Sequence, residues 1–188
     1  MNACKLVLAA SLFALTACAG AKHMIGKDQR PAIKSNPNKA MLAVVRTTSF
    51  GFGVVIDDYV DGKLVGQTRG KSSFITEVTP GTHYVMGKAE NISTARMNFE
   101  AGKIYFLNQY ITPGFWKART GFAPMAYDDG VKEFNQEGCD YREYDSAHPG
   151  SDLEKSDYEE AKNDFEKEVR EKPDQHRDVI EYKGTARP

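Results

Sequence analysis

The chain has 188 residues, 40% of them hydrophobic, with 25 basic against 26 acidic side chains. That length fits one domain with accessory segments, and that apolar content excludes disorder throughout. A net charge of −1 lacks the basic excess of a nucleic-acid binder, so no nucleic-acid partner is expected, and three Cys are too few for a disulfide scaffold.

Residues 1–17 read as a lipoprotein signal peptide. Lys5 supplies a short basic start, Leu6 to Leu15 is unbroken apolar and small text, and small residues follow. From Leu6 to Ala19 there are only 14 such residues before Lys22, too few for a spanning helix. The exit Leu15-Thr16-Ala17-Cys18 resembles the lipobox of bacterial lipoproteins. The resemblance implies that Cys18 becomes the first mature residue, carries a thioether-linked diacylglycerol, and is acylated on its amine. Several acyl chains anchor stably where one holds only marginally. Ala19, not Asp, follows the Cys, which resembles outer-membrane sorting. The expected location is the outer membrane, lipid-anchored and facing the periplasm. Anchoring in the inner membrane, surface display and ordinary secretion through the small residues Ala17-Cys18-Ala19 are the alternatives.

Residues 18–39 lack periodicity and hold Gly, Pro and Asn, as expected of a lipidated tether. Residues 40–126 read as short strands between turns: Met41–Val45, Val54–Val60, Lys63–Gly66, Ser73–Val78, Thr82–Met86, Arg96–Phe99 and Lys103–Ile111. Asp61-Gly62 between apolar runs signals a hairpin with a type I′ turn, and Thr79-Pro80-Gly81 a second turn. The expected fold is mainly β, an antiparallel β-sandwich of about seven strands with a C-terminal amphipathic α-helix. In the strand 103–111, Ile104, Phe106 and Tyr110 share one face and Tyr105, Leu107 and Ile111 the other. A strand apolar on both faces is covered twice, and the tail helix is the expected second cover.

Residues 127–150 form a connecting segment in which Asp128-Asp129-Gly130 reads as a turn. Residues 151–188 form a charged helical tail, with 12 acidic and 7 basic side chains over 151–183. Ser151-Asp152-Leu153-Glu154 has the form of a capping box. Tyr158, Ala161, Phe165 and Val169 make a narrow apolar stripe, and Pro173 ends it, so the helix is expected over 152–171 with its stripe against the sandwich. Binding of a partner by that stripe is the alternative.

Arg46, Val60-Asp61-Gly62-Lys63-Leu64-Val65-Gly66, Phe74, Pro80-Gly81-Thr82-His83 and Ala101-Gly102-Lys103-Ile104-Tyr105-Phe106 together resemble an uncharacterised family of small β-sandwich domains in bacterial lipoproteins. The Asp-Gly and Pro-Gly-x-His portion is also similar to PEGA-type domains. The resemblance covers about residues 40–125 and implies fold and location, with no activity attached. Where that family shows two Tyr after Gly-Lys, this chain has Ile104-Tyr105-Phe106.

No catalytic motif is present. Asp57-Asp58 opens no EF-hand, since Tyr59 and Thr68 stand where its third and twelfth positions need ligand oxygens. His23, His83, His148 and His176 are dispersed without metal-ligand spacing, so no metal and no cofactor are expected. Cys139 is expected to be a buried inert thiol, or else an intermolecular partner. The aromatic run Tyr105, Phe106, Tyr110, Phe115, Trp116 and Phe122 is the one enrichment near a turn. Core packing is its first explanation. The alternative is a ligand platform with Tyr105, Tyr110, Phe115 and Trp116 as contacts. The expectation is therefore a non-enzymatic, membrane-anchored binding or scaffolding module with an envelope protein or glycan as partner. A carbohydrate- or small-ligand-binding module and a cell-envelope hydrolase are the alternatives.

Overall fold

A computed structural model describes residues 21–113 and 119–186. In chain order the elements are β1 (Met24–Gly26), β2 (Ala40–Arg46), β3 (Val55–Val60), β4 (Lys63–Arg69), β5 (Ser72–Val78), β6 (Gly81–Lys88), β7 (Ile92–Phe99), β8 (Lys103–Thr112) and β9 (Arg119–Met125). There follow α1 (Tyr127–Phe134), β10 (Asp140–Tyr144), α2 (Lys155–Glu171), α3 (Pro173–Ile180) and β11 (Thr185–Ala186). The expected mainly β class holds. The described residues form eleven strands in two sheets, with three helices.

The larger sheet runs β1-β10-β5-β2-β8, with β11 and β9 end to end along β8, on Lys103–Ile104 and Phe106–Thr112 respectively. The smaller runs β4-β3-β6-β7. Alternation along each strand builds the shared core: Leu42, Val44, Phe74, Tyr105 and Leu107 from the larger sheet meet Val85, Ala95, Met97 and Phe99 from the smaller. The pairing is not antiparallel throughout. β2 and β8 are parallel, as are β10 and β5. The chain leaves β2 for the smaller sheet, returns at β5 antiparallel to β2, leaves again through β6 and β7, and comes back on the other side of β2 at β8 in the direction of β2, a crossover that hairpin signals alone do not encode. The expected Asp61-Gly62 turn is present, with φ of 50° and 80° at the two residues, as a type I′ geometry requires.

Three expectations are corrected. The first concerns the tether. From Ala21 onward that segment is laid on the domain: β1 pairs with β10, and Ala21 and Met24 are buried in the core. Arg30 donates to the carbonyls of Asn135, Gln136 and Cys139, beyond the C-terminal end of α1, where carbonyls lack partners and a cation is favoured.

Second, Asp128-Asp129-Gly130 is not a turn. The two carboxylates occupy the first turn of α1, whose positive end favours them. This helix, not the tail helix, covers the outer face of β2 and β8, packing Phe134, Tyr127 and Val131 on Ala43, Val45, Ile104 and Phe106. Gly130 is required there because a Cβ would lie 2.2 Å from Phe106 Cγ. Gly130→Ala is expected to destabilise by about 1–3 kcal/mol in urea titration, against the helix-propensity gain of about 1 kcal/mol that Ala would bring at an open position.

Third, the tail helix starts at Lys155, and no side chain caps it. Residues 151–153 are drawn to the β3–β4 hairpin instead, where Leu153 N donates to Gly62 O at 2.8 Å and Asp152 Oδ1 accepts from Leu64 N at 3.2 Å. The expected stripe of α2 does face the sandwich, on the outer side of the smaller sheet. Tyr158 meets Tyr84 edge-on at 6.4 Å, Phe165 is buried, and Glu166 accepts from Tyr84 Oη at 2.8 Å and from Arg96 at 2.7 Å. Pro173 ends α2 and stands at the start of α3, where its missing N–H costs nothing. Packing of α3 against β7 and β9 inserts Val179 into the shared core.

Candidate functional site

Of the residues expected to matter, Cys18, Phe115 and Trp116 lie outside the described residues. Tyr105 is fully buried. Its ring packs on Phe99 at 4.8 Å and on Tyr182 at 5.5 Å, and its hydroxyl donates to Asn98 O. It belongs to the core and not to a contact surface, because the inward face of β8 is closed by the smaller sheet and by Tyr182 of the C-terminal segment. Tyr110, on the other face, is 37% exposed and lies over Gly121, its cross-strand partner, where no side chain interferes. The two Tyr are therefore separated by the sheet they share.

Tyr110 lines one end of a groove of about 900 Å³ between the β6–β7 hairpin, β9, α2 and α3. Phe122, Phe165 and Val179 give it an apolar floor, and Asp157, Glu160, Asp164, Glu168 and Asp178 give it an acidic wall. Lys88 answers Asp157 at 2.7 Å, and His176 lies 3.4 Å from Glu168. Among the described residues no ion pair engages Glu160, Asp164 or Asp178. A cationic or polyhydroxylated ligand with an apolar face matches that lining.

At the turn end of the smaller sheet, His83 links two turns. Its Nδ1 donates to Asp61 Oδ2 at 2.5 Å, Asp61 Oδ1 accepts from Tyr84 N at 3.0 Å, and Thr79 Oγ1 lies 3.2 Å from His83 Nε2. With the ring proton given to Asp61, Nε2 is left as an acceptor for the hydroxyl, the polarity of a general-base relay. The set holds one carboxylate and no described cleft opens over it in the grooves lined by β9 or by residues 31–41. Its evident effect is mechanical: it clasps the Asp61-Gly62 turn to the Thr79-Pro80-Gly81 turn.

Sequence reading missed a polar centre inside the sandwich. Arg46 and Asp58 both have 0% exposure. Arg46 donates to the carbonyls of Val54 at 2.9 Å, Phe50 at 2.8 Å and Gly51 at 2.7 Å. Burial lowers its pKa, and Asp58 counters that by attraction. Asp58 Oδ1 accepts from Gln109 Nε2 at 2.5 Å, and Gln109 Oε1 accepts in turn from Thr68 Oγ1. Asp58 Oδ2 has no hydrogen-bond partner among the described residues. Burial pushes the Asp58 carboxyl well above the usual carboxylate range. The Gln109 hydrogen bond and Arg46 pull it down, and Asp57 pushes it up. The signal available in the sequence was period two: Asp58 falls on the face of Ile56 and Val60.

Above Arg46 the turn it holds presents Phe50 and Phe52 to solvent, 53% and 70% exposed, the two most exposed large apolar side chains among the described residues. Gly51, at φ 66°, lets the backbone reverse directly over the guanidinium.

Cys139 is buried, as expected, and burial raises its pKa, which disfavours the reactive thiolate. Among the described residues no group of three or more His, Cys, Asp or Glu side chains is placed to hold a metal ion, and no helix is long and apolar enough to cross a membrane. No protein-family model, curated protein or solved structure matches the chain.

Proposed function

We propose that the chain is a lipid-anchored cell-envelope protein that binds or scaffolds without catalysing a reaction, held by acylated Cys18 at the periplasmic face of the outer membrane. The observation that carries the reading is Leu15-Thr16-Ala17-Cys18 at the end of a short apolar leader, followed three residues later by the buried Ala21. It is also consistent with the resemblance to lipoprotein sandwich domains. A chain that packs so soon after its anchor is held close to the bilayer, which suits a module presenting its surfaces to neighbours in the envelope.

Mass spectrometry of the processed protein tests this. The expected result is a mature chain beginning at Cys18 with diacylglycerol and an N-acyl group, lost in Cys18→Ser along with sedimentation in the membrane fraction. A chain starting at Gly20 without fatty acid overturns it.

The groove beside Tyr110 favours a second reading, a carbohydrate- or small-ligand-binding module. Its apolar floor and charged rim follow the usual division of labour in ligand sites, where apolar area supplies affinity and a few polar groups fix orientation.

A further inference from the structure

We propose that the Phe50–Phe52 turn is a membrane-contact surface, which rests on anionic phospholipid headgroups independently of the anchor at Cys18.

Three observations converge. Phe50 and Phe52 are largely in water, yet the backbone that carries them is fixed from beneath by three hydrogen bonds from a fully buried Arg46. Exposed rings on a preorganised turn lose little conformational freedom when they are buried in a new environment. Residues 47–54 carry no charge in a chain that is 27% charged, so nothing in the turn resists entry into the headgroup region. Phe52 lies over Gly70, whose Cβ position would be 3.7 Å from Phe52 Cβ, and Gly70 stands between Arg69 and Lys71. Aromatic rings flanked by cations are what an anionic interface accepts: the rings reach the acyl boundary and the cations stay at the phosphates. Asp140 is the acidic neighbour, its N–H bonded to Lys71 O at 3.0 Å, and its carboxylate turns to Arg142 at 3.5 Å.

The test uses the full-length protein with a bimane probe at Phe52→Cys and, separately, at Ala101→Cys. Ala101 sits in the exposed β7–β8 turn next to Gly102, which bonds to Lys39 O just before β2, at the end of that strand opposite Arg46. The wild-type chain treated identically supplies the labelling background. The probe is read on phosphatidylcholine vesicles with and without phosphatidylglycerol, with brominated acyl chains as quencher. The expected result is quenching at position 52 in phosphatidylglycerol vesicles and none at 101, with Arg69→Gln and Lys71→Gln each weakening the response about fivefold. Quenching at neither position, or equally at both, overturns the proposal, as does crosslinking of position 52 to an envelope protein instead of lipid. Mass spectrometry of the same sample separates the two ideas. An unacylated Cys18 with quenching retained at 52 removes the anchor and leaves the contact surface standing.

Discussion

Arg46→Ala is expected to destabilise the protein by about 3–5 kcal/mol, more than any other substitution named here. The guanidinium is wholly buried and serves three carbonyls of one turn, those of Phe50, Gly51 and Val54. Hydrogen bonds from a charged donor contribute more than neutral ones, and truncation removes the side-chain donor of Phe50 O and Val54 O, while Gly51 O keeps the Val54 N–H at 2.8 Å. Arg46→Lys should recover little, since one ammonium cannot span the fork that reaches three oxygens. Urea denaturation gives the magnitude, and native-state amide exchange gives the locus: protection is expected to fall first over residues 50–55. A loss under 1 kcal/mol for Arg46→Ala would mean that the turn holds itself.

Asp58→Asn is expected to stabilise, and by an amount that depends on pH. The folded protein holds the Asp58 carboxyl well above its ordinary range because burial penalises the charge. The unfolded chain ionises it near pH 4. Between those two values the folded state binds the extra proton, so wild-type stability falls as pH rises through that interval. Asn keeps an oxygen for the Gln109 amide and carries no charge. The variant should therefore exceed wild type at pH 8, because wild type loses stability as pH climbs through that interval while the variant does not. The difference should shrink towards pH 4. Chemical denaturation of both proteins across that range measures it. A difference that stays constant with pH would show that Asp58 titrates normally. Asp58→Ala lacks the oxygen and leaves Gln109 Nε2 without its acceptor, so it should lose part of the gain.

These two residues also show where the sequence stops being informative. The Asp61-Gly62 hairpin, the alternating faces of β8 and the stripe of α2 were legible because each depends on near neighbours: a turn needing positive φ, a period of two, a period of 3.6. The same alternation puts Asp58 on the face of Ile56 and Val60, a signal the sequence reading passed over, and its partner Gln109 stands 51 positions away, joined to it only by the packing of the sheets. The parallel β2–β8 pair was hidden for the same reason. Arg46 could be seen ending a strand, not turning inward to hold the next turn. Residues 21–39 look unstructured by composition, and become ordered only because β10 offers an edge and the end of α1 offers carbonyls. The platform residues divide similarly. Tyr105 was assigned to the correct face of its strand, but which face would be sealed by the smaller sheet was not encoded in that strand.

The short N-terminal strand has one more consequence. An open sheet margin is a template on which another copy can continue the ladder. Met24–Gly26 terminates the larger sheet with three residues, too few to nucleate a neighbour, and at the opposite border Pro124 has no N–H to offer while α3 lies against β9. Removing residues 21–26 would uncover β10 and convert a capped margin into an adhesive one, so this short segment keeps adjacent molecules from polymerising.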